Sequence, residues 1–144
     1  MIRNDRRRKG DIVWAELGEH PGRHIQSGRR PCLIVNTSKS NAKVYTVMPG
    51  TCKDKKKDFP VHVKVLPGDV HGQLGKPTVF MAEQLMTIDE EQIILKAGYI
   101  DIHSDVMNKV NQCLKRQLES LKSYNSYSKR VFLQKLLCSN AENH

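Results

Sequence analysis

The sequence lacks any long apolar run and several signatures of large protein classes. No stretch of about twenty apolar residues occurs, which excludes a predicted membrane-spanning helix. The basic N-terminal segment is not followed by an apolar stretch, so we predict no secretory signal and a cytoplasmic protein. Neither a GxxxxGK[ST] phosphate loop nor a GxSxG nucleophile elbow is present. P-loop enzymes and α/β-hydrolases are therefore set aside.

Metal-ligand patterns are missing as well. The four cysteines are Cys32, Cys52, Cys113 and Cys138, and no two of them form a CxxC pair. The six histidines are equally scattered and form no HExxH motif. We therefore predict reduced, structural thiols, no metal site and no cofactor.

Acidic residues are outnumbered by basic ones. The chain has 24 Lys and Arg against 15 Asp and Glu, a formal net charge of +9. This excess favours a polyanionic partner, nucleic acid before an anionic membrane, although basic charge also serves solubility. The 144 residues suffice for one domain with its own core.

Short runs of β-branched residues, separated by polar and glycine-containing segments, predict a β-rich domain. Apolar residues then recur at helical spacing, which predicts an amphipathic helix over 103–122 with Ser104 or Asp101 as its N-cap. Many short strands and one terminal helix, without βαβ alternation, indicate a small barrel or a strongly bent sheet. Strands are predicted at 12–17, 31–36, 44–48, 61–65, 78–82 and 85–89, and 93–100 is predicted as a last strand or a turn.

The chain divides into three segments by composition. Residues 1–8 form a basic arm, 9–122 form the barrel and its helix, and 123–144 form a C-terminal extension. Within the extension, 131–137 is compatible with a short docking helix or with a frayed tail.

Two arginines lie directly before the second predicted strand. Gly28 permits a turn, and Pro31 biases Arg30 toward an extended backbone. Arg29 and Arg30 are thereby presented at the mouth of a rigid strand, where a guanidinium fork suits a phosphate. The alternative is that both are merely solvated loop charges.

Over residues 9–122, the sequence resembles the MazF/PemK family of toxin endoribonucleases. The resemblance implies a β-rich α+β fold, an SH3-like plasmid-maintenance toxin barrel with a C-terminal amphipathic helix, acting as a homodimer. Four blocks occur in the family's order: 9–14 (KGDIVW), 28–35 (GRRPCLIV), 47–51 (VMPGT) and 83–89 (EQLMTID), with 60–63 (PVHV) also compatible.

The resemblance also implies the chemistry. Single-stranded RNA, such as mRNA, would be cleaved at a short sequence without metal, by attack of the 2′-hydroxyl on the adjacent phosphate. The products would carry 2′,3′-cyclic phosphate and 5′-hydroxyl ends. The family's catalytic arginine and threonine correspond to Arg30 and Thr51. Arg30 would stabilise the phosphorane rather than act as a base, because its pKa exceeds about 12.

Further site residues are predicted in loops 18–28 and 53–57, which would flank the RNA, and in the EQ-x-x-T-x-D block at 83–89. Glu83 and Thr87 would support the site or the dimer surface. His24 is as compatible with a catalytic as with a structural role, and for His62 a structural role is favoured. Many relatives carry an acidic residue where this chain has Ile25, so no carboxylate acid–base role is expected there. The predicted RNA-binding residues are His24, Gln26, Arg29, Lys53, Lys55, Lys56, Lys57 and Gln84.

The partners implied are single-stranded RNA and a small acidic antitoxin, with operator DNA bound only through the antitoxin complex and no membrane. Two other hypotheses stay open from the sequence: a CcdB-like toxin that poisons DNA gyrase, and a passive nucleic-acid-binding barrel. Arg30, Thr51 and the lysine loop favour RNA cleavage over both.

Overall fold

A computed structural model describes residues 7–37, 43–52 and 59–123, with side chains described up to residue 119. Over these residues the chain forms eight strands and one α-helix. Three single 3-10 turns, Pro67–Asp69, Ala82–Gln84 and Glu90–Gln92, join strands. The strands are β1 (Asp11–Glu16), β2 (Arg29–Thr37), β3 (Val44–Thr51), β4 (His62–Val65), β5 (His71–Gly72), β6 (Thr78–Met81), β7 (Met86–Asp89) and β8 (Ile93–Tyr99), and the helix is α1 (Asp105–Ser123).

The strands form one antiparallel, strongly curled sheet. Its order is β4-β6-β3-β2-β1-β8-β5, and β7 pairs with β3 on the edge away from β2. The run β8-β1-β2-β3-β7 curls into a half-barrel, and Glu90–Gln92 connects its two outer strands. The predicted β-rich α+β architecture with a C-terminal helix is confirmed.

The central strands β1, β2 and β3 are buried on both faces, since neighbouring residues of a strand point to opposite sides and each side packs into a core. In β1, Val13 faces the inside of the half-barrel, whereas Ile12 faces the helix side, and both are fully buried. The inner core contains Val13, Ala15, Leu17, Cys32, Ile34, Tyr45, Val47 and Ile88, and the core on the helix side includes Ile12, Leu33, Met48, Phe80, Met107 and Val110.

The helix begins where the sequence predicts. The Ser104 hydroxyl accepts a hydrogen bond from the backbone N–H of Met107 at 3.2 Å, which makes Ser104 the N-cap. Asp101 instead accepts a hydrogen bond from the backbone N–H of His103 within the preceding turn. Met107, Val110 and Cys113 form the buried stripe of α1, which packs on β4.

The structure corrects one strand prediction. β3 does not stop at residue 48 but continues through Pro49 to Thr51, because its last two residues leave β2 and pair with β6. Of the two alternatives for 93–100 the strand is confirmed, as β8, which ends at Tyr99, and the two-residue strand β5 is an addition to the predicted elements. No α-helix of the described ranges is long and apolar enough to cross a membrane.

Several predictions fall outside the described residues. These are the lysine loop with Lys53, Lys55, Lys56 and Lys57, most of the arm 1–8, and nearly all of the extension 123–144. Of the arm, the structure describes Arg7, which pairs with Glu90 at 3.5 Å, and Arg8, whose backbone N–H donates to Asp11 at 2.9 Å.

Candidate functional site

The β1–β2 hairpin positions Arg30. Backbone hydrogen bonds between Leu17 and Gly28 and between Gly28 and Gly18 close the loop that joins the two strands. Gly28 has a φ of +73°, a conformation that favours glycine and turns the chain into β2. Arg30 is half-buried, and its Nε donates a hydrogen bond to the backbone oxygen of Ser27 at 3.0 Å. The guanidinium is thereby tethered at the base of the loop.

Arg29 differs from its neighbour. Its side chain is 75 % exposed and faces Glu16 across the strand pair, with Nε 3.7 Å from Oε2. An exposed pair of this kind contributes little stability. The hypothesis of a solvated loop charge therefore fits Arg29, whereas Arg30 is held in place.

Thr51 ends β3, at the same end of the β2–β3 pair as Arg30. The pairing of the two strands ends with Cys32 opposite Pro49, and Arg30 and Thr51 each lie two residues beyond that last pair. Beyond that point the strands part, since β2 continues along β1 while Thr51 pairs with Val79 of β6. Thr51 is only 3 % exposed.

Gln84 ties the hairpin loop to the rest of the sheet. β6 and β7 both run along β3, and the 3-10 turn Ala82–Gln84 lies between them. The Gln84 side chain accepts a hydrogen bond from the backbone N–H of Gln26 at 3.3 Å and donates one to the backbone oxygen of His24 at 3.1 Å. The structure thus brings three predicted RNA-binding residues together.

Glu83 of the same turn contacts His62 of β4 through Oε1 and Nε2. The His62 side chain is 8 % exposed, and the edge of the Phe59 ring packs on it with ring centroids 4.9 Å apart. His62 therefore fixes the carboxylate that precedes Gln84. Sequence reasoning placed both residues in matching blocks but missed their pairing, which joins positions 21 residues apart.

Thr87 does not join this site. It lies on β7 with its side chain exposed and pairs with Thr46, five residues before Thr51 on β3. Five residues of strand span about 17 Å. β7 therefore carries Thr87 away from the end of β3 that holds Thr51, and its role in supporting the site or the dimer surface stays a prediction.

Cys32 follows Arg30 by two residues on β2, and its side chain is buried in the inner core. Burial raises the pKa of its thiol to about 12, against the opposing effect of the Arg30 charge. Such a thiol stays protonated at neutral pH and is no nucleophile. Within the described residues, no three His, Cys, Asp or Glu side chains are grouped so as to hold a metal ion.

Comparisons with known proteins show the family of the chain. The family of PemK-like, MazF-like toxins of type II toxin-antitoxin systems matches residues 8–118. Endoribonuclease EndoA of Bacillus subtilis (strain 168) is 27 % identical over 113 residues, covering 77 % of this chain and 93 % of that protein.

Solved structures give the same result. The crystal structure of MazF from Deinococcus radiodurans is 26 % identical, covers 79 % of this chain and 94 % of that one, and has a TM-score of 0.58. Mycobacterium tuberculosis toxin MazF-mt6, at 18 % identity, supports the fold alone, with coverage of 76 % and 96 % and a TM-score of 0.58. The chain belongs to the PemK-like, MazF-like toxins of type II toxin-antitoxin systems.

Proposed function

We propose that this toxin is an endoribonuclease that cleaves single-stranded RNA without a metal ion. One observation carries the proposal: Arg30 and Thr51 lie at the same end of the β2–β3 pair, each two residues beyond the last paired position, where the two strands part. The resemblance to an endoribonuclease of Bacillus subtilis supports the reaction class.

The chemistry needs charge stabilisation rather than a metal. The 2′-oxygen attacks phosphorus and loses its proton, the P–O5′ bond breaks, and O5′ gains a proton. The Arg30 guanidinium would stabilise the negative charge of the phosphorane, and the Thr51 hydroxyl would donate to one phosphoryl oxygen. Removing one such donor typically lowers the rate by about 10²–10³.

The two groups differ in access. Arg30 is half-buried and reachable by a phosphate, whereas Thr51 is 3 % exposed. Contact between Thr51 and the phosphate therefore requires the chain around it to open when RNA binds. Glu83, held by His62, would support the adjoining turn.

RNA recognition is assigned to the loop that Gln84 anchors. His24, Gln26 and Gln84 form one connected group, and the exposed Arg29 follows Gln26 by three residues in the chain. Bases of single-stranded RNA offer their edges and faces to such loops. The lysines of loop 53–57 are assigned to the RNA backbone on charge alone.

The proposed toxin is a homodimer in the cytoplasm, and its proposed protein partner is a small acidic antitoxin. Operator DNA would be bound only by the toxin–antitoxin complex. Structures of related proteins include a mycobacterial endoribonuclease with its cognate antitoxin and MazE–MazF from Deinococcus radiodurans. A net charge of +9 favours an acidic partner.

The proposal is tested by incubating the protein with single-stranded RNA in EDTA and mapping the new ends. We expect 2′,3′-cyclic phosphate and 5′-hydroxyl ends, lost in Arg30→Ala and retained in Lys115→Ala, which removes an exposed helix cation. RNA binding without cleavage would indicate a passive binding protein. Inhibition of DNA gyrase without RNA cleavage would indicate the CcdB-like alternative.

A further inference from the structure

A groove at the edge of the sheet lies beside the site and is lined by cations. It has a volume of about 260 Å³ and lies between β4 and α1. Its exposed cations are Lys64 on β4 and Lys109 and Arg116 on the helix. The described residues that line it include no Asp or Glu.

The sheet register connects this groove to the proposed catalytic residues. Thr51 pairs with Val79, and Val79 pairs in turn with Lys64. Residues directly opposite in an antiparallel sheet share a face, so Thr51 and Lys64 share one, whereas the alternate residues Val63 and Val65 face the helix side. Because β4 is an edge strand, Lys64 borders both that face and the groove. Strands are about 4.8 Å apart, which puts the backbones of Thr51 and Lys64 about 10 Å apart, so a single RNA strand can contact both.

The groove also offers an aromatic surface. Phe59 is 45 % exposed, and its ring makes an edge-on contact with His62. Many proteins bind single-stranded nucleic acid in a cationic groove that has an exposed aromatic ring. The cations contact the phosphates and the ring stacks on a base.

Charge balance distinguishes this groove from a larger one at the start of β1. That cavity, of about 480 Å³, also has basic residues, but its lining includes Asp11 and Asp101. Lys96 is paired there with the Asp11 carboxylate at 3.2 Å. In the β4–α1 groove, Lys64 and Lys109 form no ion pair with any described residue, and Arg116 makes one long hydrogen bond, 3.4 Å, to the backbone oxygen of Pro60.

We propose that the β4–α1 groove is an RNA-backbone subsite for nucleotides that flank the cleaved bond. Lys64, Lys109 and Arg116 contact phosphates, and the Phe59 ring stacks on one base. The subsite rests on the proposed RNA cleavage and extends it, since it favours longer RNA over a minimal cleavage sequence.

The test compares two oligoribonucleotides that share the mapped cleavage sequence, one minimal and one extended on each side. Both carry a 2′-deoxy substitution at the cleaved nucleotide, so binding is measured without cleavage. Anisotropy titrations over a range of KCl concentrations give affinity and salt dependence. The variants are Lys64→Ala/Lys109→Ala, Phe59→Ala, and the control Lys115→Ala, an exposed lysine of the same helix outside the groove.

For the extended RNA, the double variant should bind at least tenfold more weakly, and the slope of log K against log salt should fall by about 1.4, or 0.7 per cation. Phe59→Ala should also weaken binding of the extended RNA by roughly tenfold through lost stacking. Binding of the minimal RNA should stay within twofold for every variant, and Lys115→Ala should match the wild type on both RNAs.

Equal affinity and slope for the double variant and Lys115→Ala on extended RNA would overturn the subsite. So would a loss confined to binding of an acidic antitoxin segment, which would assign the groove to the protein partner. Failure of the wild type to cleave any RNA would overturn the proposed function instead, and titrations with a short and a long single-stranded RNA of arbitrary sequence would still report on the groove. Unchanged thermal unfolding of the variants checks that they are folded.

Discussion

The Gln84 side-chain amide donates a hydrogen bond to the backbone oxygen of His24, 60 residues earlier in the chain, at 3.1 Å. Its oxygen also accepts from the backbone N–H of Gln26. One residue of a 3-10 turn therefore fixes the loop that presents Arg30. Through these two hydrogen bonds, the loop is attached to the turn between β6 and β7.

Replacing Gln84 should loosen that loop. Gln84→Ala removes both hydrogen bonds, and we expect a loss of about 1–2 kcal/mol in the free energy of unfolding, with faster hydrogen exchange at the Gln26 amide. RNA cleavage should fall as well. Gln92→Ala is the matched control, because Gln92 also makes two hydrogen bonds to backbone, to Asp89 and Glu16. If both variants lost cleavage equally, the loop role of Gln84 would be wrong.

The His62–Glu83 pair should behave as a partly buried polar unit. Glu83→Ala leaves Nε2 of a histidine that is 8 % exposed without its acceptor, at a cost of about 1–2 kcal/mol in unfolding free energy. Glu83→Gln keeps an oxygen acceptor and should recover most of that loss. Chemical denaturation of the two variants measures the difference, and equal stabilities would show that the contact contributes nothing.

Gly50 marks a close approach between β3 and β6. A Cβ at this position would lie 2.7 Å from Cγ2 of Thr78 and 2.9 Å from Cε1 of Phe80. Gly50→Ala should therefore destabilise the fold by about 1–3 kcal/mol through overpacking. Gly75→Ala is the control, since its Cβ would meet nothing within 4 Å. Thermal unfolding separates the two, and a Gly50→Ala protein as stable as Gly75→Ala would contradict the packing.

The Cys32 thiol should be inert in the folded protein. Its pKa is raised to about 12 by burial, so at pH 8 the thiolate fraction is about 10⁻⁴. The exposed Cys52 should react with iodoacetamide while Cys32 does not, and unfolding in guanidinium should remove the difference. Peptide mass spectrometry identifies the alkylated residue. Rapid alkylation of Cys32 in the native protein would contradict its place in the inner core.

Local pattern was sufficient to predict much of the fold. Three patterns can be recognised from residues that are close together in the sequence: the β-branched runs of β1 and β2, the alternation of β4, and the helical spacing of α1. The end of β3 was not predicted because Pro49 and Gly50 interrupt a strand pattern. Their continuation depends on β6, which is distant in the sequence.

For the site too, the residues were predicted from the sequence but their contacts were not. Motif order predicted Arg30, Thr51 and Gln84, but it contained no information on which residues they contact. The Gln84 bonds span 58 and 60 residues, and the His62–Glu83 contact spans 21. Thr87 shares a sequence block with Glu83 but follows β7 away from Thr51, a separation that the block alone does not indicate. Lys64 was overlooked because only the register of β4, β6 and β3 aligns it with Thr51.

The most direct test is a double-mutant cycle on Arg30 and Thr51 by single-turnover RNA cleavage in EDTA. Because both groups would stabilise one phosphorane, we expect Arg30→Ala and Thr51→Val each to lower the cleavage rate constant by about 10²–10³, and the double variant by much less than the product. Folding of each variant is checked by circular dichroism. Rate constants within fivefold of the wild type for folded Arg30→Ala, or strictly multiplicative effects, would contradict a shared phosphate.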